Sequence, residues 1–211
     1  MNWLYETGRT LAHCVFDGAH PGDVAGIEHI PRSGPFILAS NHASYFDPPA
    51  IGRHIPGEIA YFARKTLFKP GLIGSILTSV NAIPVDRDGE SDIQAVKQVL
   101  RALQQGRGVL FFPEGTRSPD GTLREAKPGV GMIACKARVP VVPARVFGSY
   151  GAFGRDMKAP DLNVRISVAF GPPLYPETFD PGPRARNRYQ ETSRRIMAAV
   201  AAIPPPSQPA V

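Results

Sequence analysis

All five histidines of this 211-residue chain fall within its first 54 positions, and one has an acid at a spacing that could do chemistry. The segment reads Asn41-His42-Ala43-Ser44-Tyr45-Phe46-Asp47. Histidine is the side chain best suited to general-base work near neutral pH, and it needs a partner on its other ring nitrogen to fix its tautomer. On a regular helix His42 and Asp47 would point about 140° apart, so they can meet only across a strand-to-helix turn. Asp47-Pro48-Pro49 supplies a chain-reversal signal. The pair directly follows Pro35–Ser40, a short apolar run behind a Ser-Gly-Pro turn, which predicts a buried strand. Ends of such strands are where α/β folds place their ligands.

Two further segments could hold a polar ligand. Phe112-Pro113-Glu114-Gly115-Thr116-Arg117-Ser118 follows the apolar run Gly108–Phe112, and Arg117 suits bidentate recognition of phosphate. Asn81-Ala82-Ile83-Pro84-Val85-Asp86-Arg87 places Arg87 after a short apolar strand in the same way. Two arginines at the ends of neighbouring strands would make a cationic pocket. The chain has no GxSxG, HExxH or GxxxxGK[ST] pattern. Gly129–Ala134 matches GxGxxA, but Lys127-Pro128 precedes it instead of a strand, so its glycines are read as permitting close helix–sheet packing.

The elements that must position these residues follow from periodicity. Asn2–Phe16 is predicted as a weakly amphipathic helix carrying Trp3, Leu4, Leu11, Val15 and Phe16, either an interfacial membrane anchor or a cap on the core. Strands are expected at Ile59–Arg64, Ala82–Val85, Gly108–Phe112, Val139–Phe147 and Val164–Phe170, the last alternating strictly and so having one wetter face. Helices are expected at Gly71–Ser79, Ser91–Gln105, Gly129–Ala137 and Pro183–Ile203. Ser91 and Gln94 read as a capping box, and Gly106 stands where a helix-ending glycine belongs. Strand and helix alternate, so the fold class is α/β: a single domain with a largely parallel central sheet flanked by helices. The division expected is an N-terminal helix over residues 1–22, the domain proper over 23–203 and a Pro-rich tail over 204–211.

Composition bounds the partners. Lys+Arg 24 against Asp+Glu 18 gives a formal charge of +6, which points to an anionic partner. Arg184, Arg186, Arg188, Arg194 and Arg195 form a basic cluster suited to anionic lipid headgroups; with no recognisable base-reading module, it does not suggest nucleic acid. Cys14 and Cys135 show no metal-ligand or disulfide spacing, and no metal site is expected. No run of 18 apolar residues predicts a transmembrane helix, and no signal peptide is read at the N-terminus.

Taken together, the segments resemble the glycerolipid acyltransferase superfamily, specifically the 1-acylglycerol-3-phosphate (lysophosphatidic acid) acyltransferases. Four blocks stand in that family's order: NHASYFD with His42 and Asp47, AIPVDR ending in Arg87, FPEGTRS with Glu114 and Arg117, and VPVVPA at Val139–Ala144. Lys127-Pro128-Gly129 resembles the family's Lys-x-Gly segment. Where the second block usually opens with Gly, this chain has Asn81, the next best residue for a left-handed turn.

The resemblance implies a glycerol-3-phosphate acyltransferase-like fold. It also implies transfer of a fatty acyl group from a thioester to the free hydroxyl of 1-acylglycerol-3-phosphate, giving phosphatidic acid. It makes His42 the general base and Asp47 its orienting partner. Arg87, Glu114, Gly115, Thr116, Arg117 and Lys127 become the acceptor site. The fourth block would line the site with apolar backbone and contribute to an acyl channel, for which the uncharged Pro70–Val85 stretch is the other candidate. The implied partners are a lysophospholipid, an acyl-CoA or acyl-carrier-protein thioester as co-substrate with no bound cofactor, and an anionic membrane. The implied location is peripheral, on the cytoplasmic face. Two alternatives remain open: the same chemistry on another lysophospholipid or lipid alcohol, and a catalytically idle anionic-lipid-binding module.

Overall fold

A computed structural model describes residues 3–64, 71, 82–85 and 92–206. Along the chain these residues form α1 (Trp3–Ala19), β1 (Val24–Ala25), β2 (Ile37–Ser40), α2 (Asp47–Gly52), β3 (Ile59–Arg64) and β4 (Ala82–Val85). They continue with α3 (Asp92–Gln104), β5 (Gly108–Phe111), α4 (Pro128–Ala137), β6 (Val141–Phe147), α5 (Ser149–Phe153), β7 (Ser167–Phe170), α6 (Pro176–Phe179) and α7 (Arg188–Ala201). A single 3-10 turn spans Ile27–His29. The seven strands make one sheet in the order β1-β7-β6-β2-β5-β3-β4. Every neighbouring pair is parallel except β6 with β7. The expected α/β class and largely parallel sheet are therefore what the chain adopts.

Strand alternation divides the core between the two faces. On one side Ile37, Ala39, Val109 and Val141 pack with Val99, Leu103, Ile133, Ile196 and Val200 from α3, α4 and α7. On the other, Leu38, Leu110, Val142 and Ala144 pack with Tyr5, Phe16 and Ile51 from α1 and α2. The VPVVPA block is thus sheet core: Val141–Ala144 runs beside Ile37–Ser40, with Val141, Val142 and Ala144 fully buried. That placement replaces the expectation that the block lines a channel.

Several local expectations change. The strict alternation of Val164–Phe170 yields a strand only from Ser167, and Ala169 and Phe170 are both buried because β7 lies between β1 and β6. The C-terminal helix begins at Arg188 and not at Pro183, because Asn187 takes a left-handed conformation with φ 58°. Gly106 does end α3, at φ 79°, with its N–H donating to the Leu103 carbonyl. The strands preceding Arg87 and Arg117 are not neighbours, because β3 lies between β4 and β5. Parallel crossovers let the chain skip a position, so order along the sequence did not set order in the sheet. The helix expected over Gly71–Ser79, apart from Gly71, lies outside the described residues, as do Asn81, Ser91 and the tail beyond residue 206.

Helix α1 carries two apolar stripes about 100° apart. Tyr5, Ala12 and Phe16 meet the core, while Leu4, Leu11 and Val15 are exposed on the other stripe; Trp3, 72% exposed, stands at the start of the helix about 100° beyond that stripe. The helix is fixed to α2 by polar groups: the buried Arg53 donates to Asp17 and to His54 Nε2, and His13 pairs with the Arg53 carbonyl.

Gly131 has a different role from the one its motif suggested. A Cβ there would stand 2.0 Å from the Tyr189 carbonyl oxygen and 2.9 Å from the Ser193 nitrogen, so the glycine lets α4 touch α7, helix on helix. Its N–H donates to Ser193 Oγ at 2.9 Å. Gly131→Ala is expected to destabilise the fold by about 1–3 kcal/mol, because the obstructing atoms are largely backbone. Gly129→Ala, whose Cβ would meet only Phe111 at 3.8 Å, is expected to be neutral or slightly stabilising. Urea midpoints of the two variants check this; equal shifts would remove the close crossing as the cause.

Candidate active site

His42 lies just past the C-terminal end of β2, and Asp47 is the first residue of α2. The intervening turn brings them together, as the spacing required. His42 Nδ1 stands 2.8 Å from Asp47 Oδ2. The same oxygen accepts the backbone N–H groups of Ala43 at 2.7 Å and Ser44 at 2.8 Å. Asp47 is fully buried while the His42 side chain retains 13% exposure. A carboxylate oxygen can only accept from the ring, so Nδ1 carries a hydrogen, and in the neutral ring the lone pair falls to Nε2. One face of the imidazole stacks on Phe112, with centroids 4.0 Å apart and planes 16° apart. The arrangement presents a fixed, correctly tautomerised base at the edge of the sheet.

Parallel pairing of β2 with β5 brings the Phe112–Ser118 loop to the same edge. Glu114 Oε1 accepts the His42 backbone N–H at 3.0 Å, and the Ser118 N–H donates to the His42 carbonyl at 2.7 Å. Gly115 makes the turn possible: its φ is +70°, and its N–H donates back to the Phe112 carbonyl. Glu114 is 3% exposed, and its Oε2 has no hydrogen-bond partner. Burial pushes its pKa up to about 7, against the pull of the His42 and Arg124 backbone N–H groups, and the nearby Asp47 charge adds to the rise.

The other sequence-predicted ligand residues separate into two places. Glu114, Thr116 and Lys127 line a cavity of about 480 Å³ with Arg124, Glu125 and Gln190. Lys127 caps α4, donates its N–H to the Pro113 carbonyl and lays its side chain over Gly115. Arg117 stays outside that cavity. Its guanidinium lies on the Tyr45 ring, with Cζ 3.5 Å from the centroid, and its Nη1 is buried without a hydrogen-bond partner among the described residues. Arg87 lies outside the described residues.

Some residues that shape the site gave no separable sequence signal. Asn41 acts as a side-chain strand partner, donating to the Val146 carbonyl and accepting its N–H, so β6 stays attached beyond β2. Ser44 Oγ donates to the Phe153 carbonyl at 2.7 Å. Phe112 and Tyr45 stand inside the quoted blocks, where nothing in the sequence assigns either a role. The basic cluster is partly neutralised: Arg188 makes a two-pronged pair with Asp180, and Arg194 and Arg195 both donate to Glu191.

A partly exposed imidazole held by a buried carboxylate is an arrangement that suits proton transfer. Comparison with known proteins narrows this. The family model described as Acyltransferase matches residues 22–146. The 1-acyl-sn-glycerol-3-phosphate acyltransferase of Bacillus subtilis (strain 168) is 31% identical, over 72% of this chain and 73% of its own length. A chloroplastic enzyme of the same description from Brassica napus is 33% identical over 60% of this chain, which spans only 37% of that relative. The crystal structure of the 1-acyl-sn-glycerophosphate acyltransferase PlsC from Thermotoga maritima superposes with a TM-score of 0.68 at 26% identity, covering 95% of this chain and 79% of that one. The chain belongs to the acyltransferase family.

The Glu114 carboxyl makes stability depend on pH. Below about 4.5 it is protonated folded or unfolded; between 4.5 and about 7 the unfolded chain ionises while the folded one keeps its proton. The folded state then binds more protons, so stability falls as pH rises through this window and levels above it. Glu114→Gln removes that slope. Its melting temperature relative to the parent is expected to climb from pH 4.5 to 7; a constant offset in thermal scans would refute the assignment.

Proposed function

We propose that the protein transfers a fatty acyl group from an acyl thioester, carried by CoA or acyl carrier protein, to the free hydroxyl of 1-acylglycerol-3-phosphate, giving phosphatidic acid. The observation that carries this reading is the Nδ1-anchored imidazole of His42, with no partner on Nε2 among the described residues, on a chain whose relatives bear that activity in their names.

In this mechanism His42 Nε2 takes the proton of the acceptor hydroxyl as its oxygen attacks the thioester carbonyl. The new C–O ester bond forms, the C–S bond breaks, and the proton passes from His42 to the leaving thiolate. The acceptor oxygen is itself the nucleophile, so no acyl-enzyme forms. Asp47 holds the ring and faces the positive charge that develops on it, as in other His–Asp pairs. Arg117 binds the acceptor phosphate, with its unpartnered Nη1 as one donor. Arg87 and Lys127 supply further positive charge for the acceptor, Thr116 borders it, and Gly115 and Glu114 hold the loop in place.

The membrane is the source of the acceptor. Among the described residues no helix is long and apolar enough to cross a bilayer. The exposed stripe of Leu4, Leu11 and Val15 on α1 fits an interfacial contact, and the exposed Arg184 and Arg186 fit anionic headgroups on the cytoplasmic face.

Purified protein offered labelled acyl thioester and a panel of lysolipids is expected to form phosphatidic acid from lysophosphatidic acid in preference to other products. His42→Ala should lower kcat by roughly 10²–10⁴-fold. Turnover confined to a different acceptor would overturn the substrate, and full activity in the variant would overturn the base. For the membrane contact, Leu11→Glu with Val15→Glu is expected to weaken sedimentation with vesicles containing anionic lipid; unaltered binding would place the contact elsewhere.

A further inference from the structure

Arg117 reaches its place through an aromatic support that the reaction scheme above does not use. Tyr45 lies between two partners: the Arg117 guanidinium at 3.5 Å from its ring centroid, and the Phe153 ring at 5.1 Å with planes 40° apart. Its own backbone is held in turn. The Tyr45 N–H donates to the Phe153 carbonyl, which also accepts Ser44 Oγ, and Ser44 bridges to Gly154. On the other side of the stack, Ser118, next to Arg117, donates to the His42 carbonyl. Both halves of the stack are therefore referenced to the backbone around His42.

A guanidinium lying flat on a ring keeps its N–H donors in their plane and available to an oxyanion, while losing the freedom to rotate away. The stack leaves Arg117 Nη1 buried and unpartnered. An unpaired buried donor is unfavourable until an acceptor arrives, so an anion seated there recovers that penalty.

We propose that Tyr45 is a positioning residue for the acceptor: its ring holds Arg117 at a fixed place relative to His42, and so sets where the acceptor's phosphate sits when its hydroxyl meets Nε2. This inference rests on the reading of Arg117 as the phosphate ligand. Tyr45 acts through Arg117, and its exposed edge leaves the stack open to the incoming headgroup.

The test compares Tyr45→Leu, Tyr45→Phe, Arg117→Ala and the double variant Tyr45→Leu/Arg117→Ala. It measures lysophosphatidic acid affinity without donor, acceptor and donor KM, kcat and melting temperature. Tyr45→Leu is expected to weaken lysophosphatidic acid binding and raise its KM by about three- to thirtyfold, the range of a stacked cation. Donor KM should stay within about twofold, as should acceptor KM in Tyr45→Phe, which keeps the ring. In the Arg117→Ala background the Leu substitution should add nothing further, because the residue it positions is gone. Monoacylglycerol, which lacks the phosphate, should be used equally poorly by the parent and Tyr45→Leu. If Arg117→Ala weakens the acceptor and Tyr45→Leu does not, the positioning role is wrong and the phosphate reading stands. Equal rises in both KM values with a lower melting temperature would make Tyr45 merely structural and overturn the proposal. If Arg117→Ala leaves acceptor affinity untouched, or the parent binds no lysophosphatidic acid, the phosphate reading itself falls.

Discussion

The amide nitrogen and the carbonyl oxygen of His42 are both held by the loop that follows the neighbouring strand, one by the Glu114 carboxyl and the other by the Ser118 N–H. Because β2 and β5 run parallel, their C-terminal ends open onto the same edge, and a loop leaving one strand can satisfy the backbone of a residue leaving the other. Asp47 and Phe112 fix what remains, the imidazole itself. A group bound in this way loses little further freedom when it begins to react, which is where much of the advantage of a preorganised base lies. The sheet order, the left-handed turn at Gly115 and the short helix starting at Asp47 all serve this one residue.

Two carboxyls stand close to His42 and are used differently. Asp47 turns one oxygen toward three donors: the imidazole and two amides of the turn that precedes α2. Glu114 meets fewer donors under nearly complete burial, and its proton is correspondingly harder to remove. The contrast shows why an acid beside a histidine is not by itself an orienting partner. Donor count and solvent access decide which carboxyl faces the ring and which braces the loop.

Much of this was legible in the sequence, because it depended on local patterns. Hydrophobic runs bounded by Gly and Pro marked the strands, and the His42–Asp47 spacing required the turn that the structure contains. What failed depended on distant partners. The placement of β3 between β4 and β5 is a matter of crossover choice, which no residue near Arg87 encodes. Ala169 is buried by β1, which is two residues long and carries almost no pattern. The stop before α7 comes from one left-handed asparagine. The acceptor residues were expected as one set, yet the loop's curvature turns Thr116 and Lys127 toward a cavity and Arg117 toward Tyr45. Spacing along a chain reports nothing about that curvature.

The sheet's two outer strands have a consequence for a protein held at high concentration. At one margin stands β1, only Val24–Ala25, and at the other, among the described residues, stands β4, four residues with Pro84 in their midst. A proline offers no N–H, and a two-residue strand gives almost no ladder to extend. Neither margin templates another chain. Crowded copies thus lack an easy route to edge-on polymerisation.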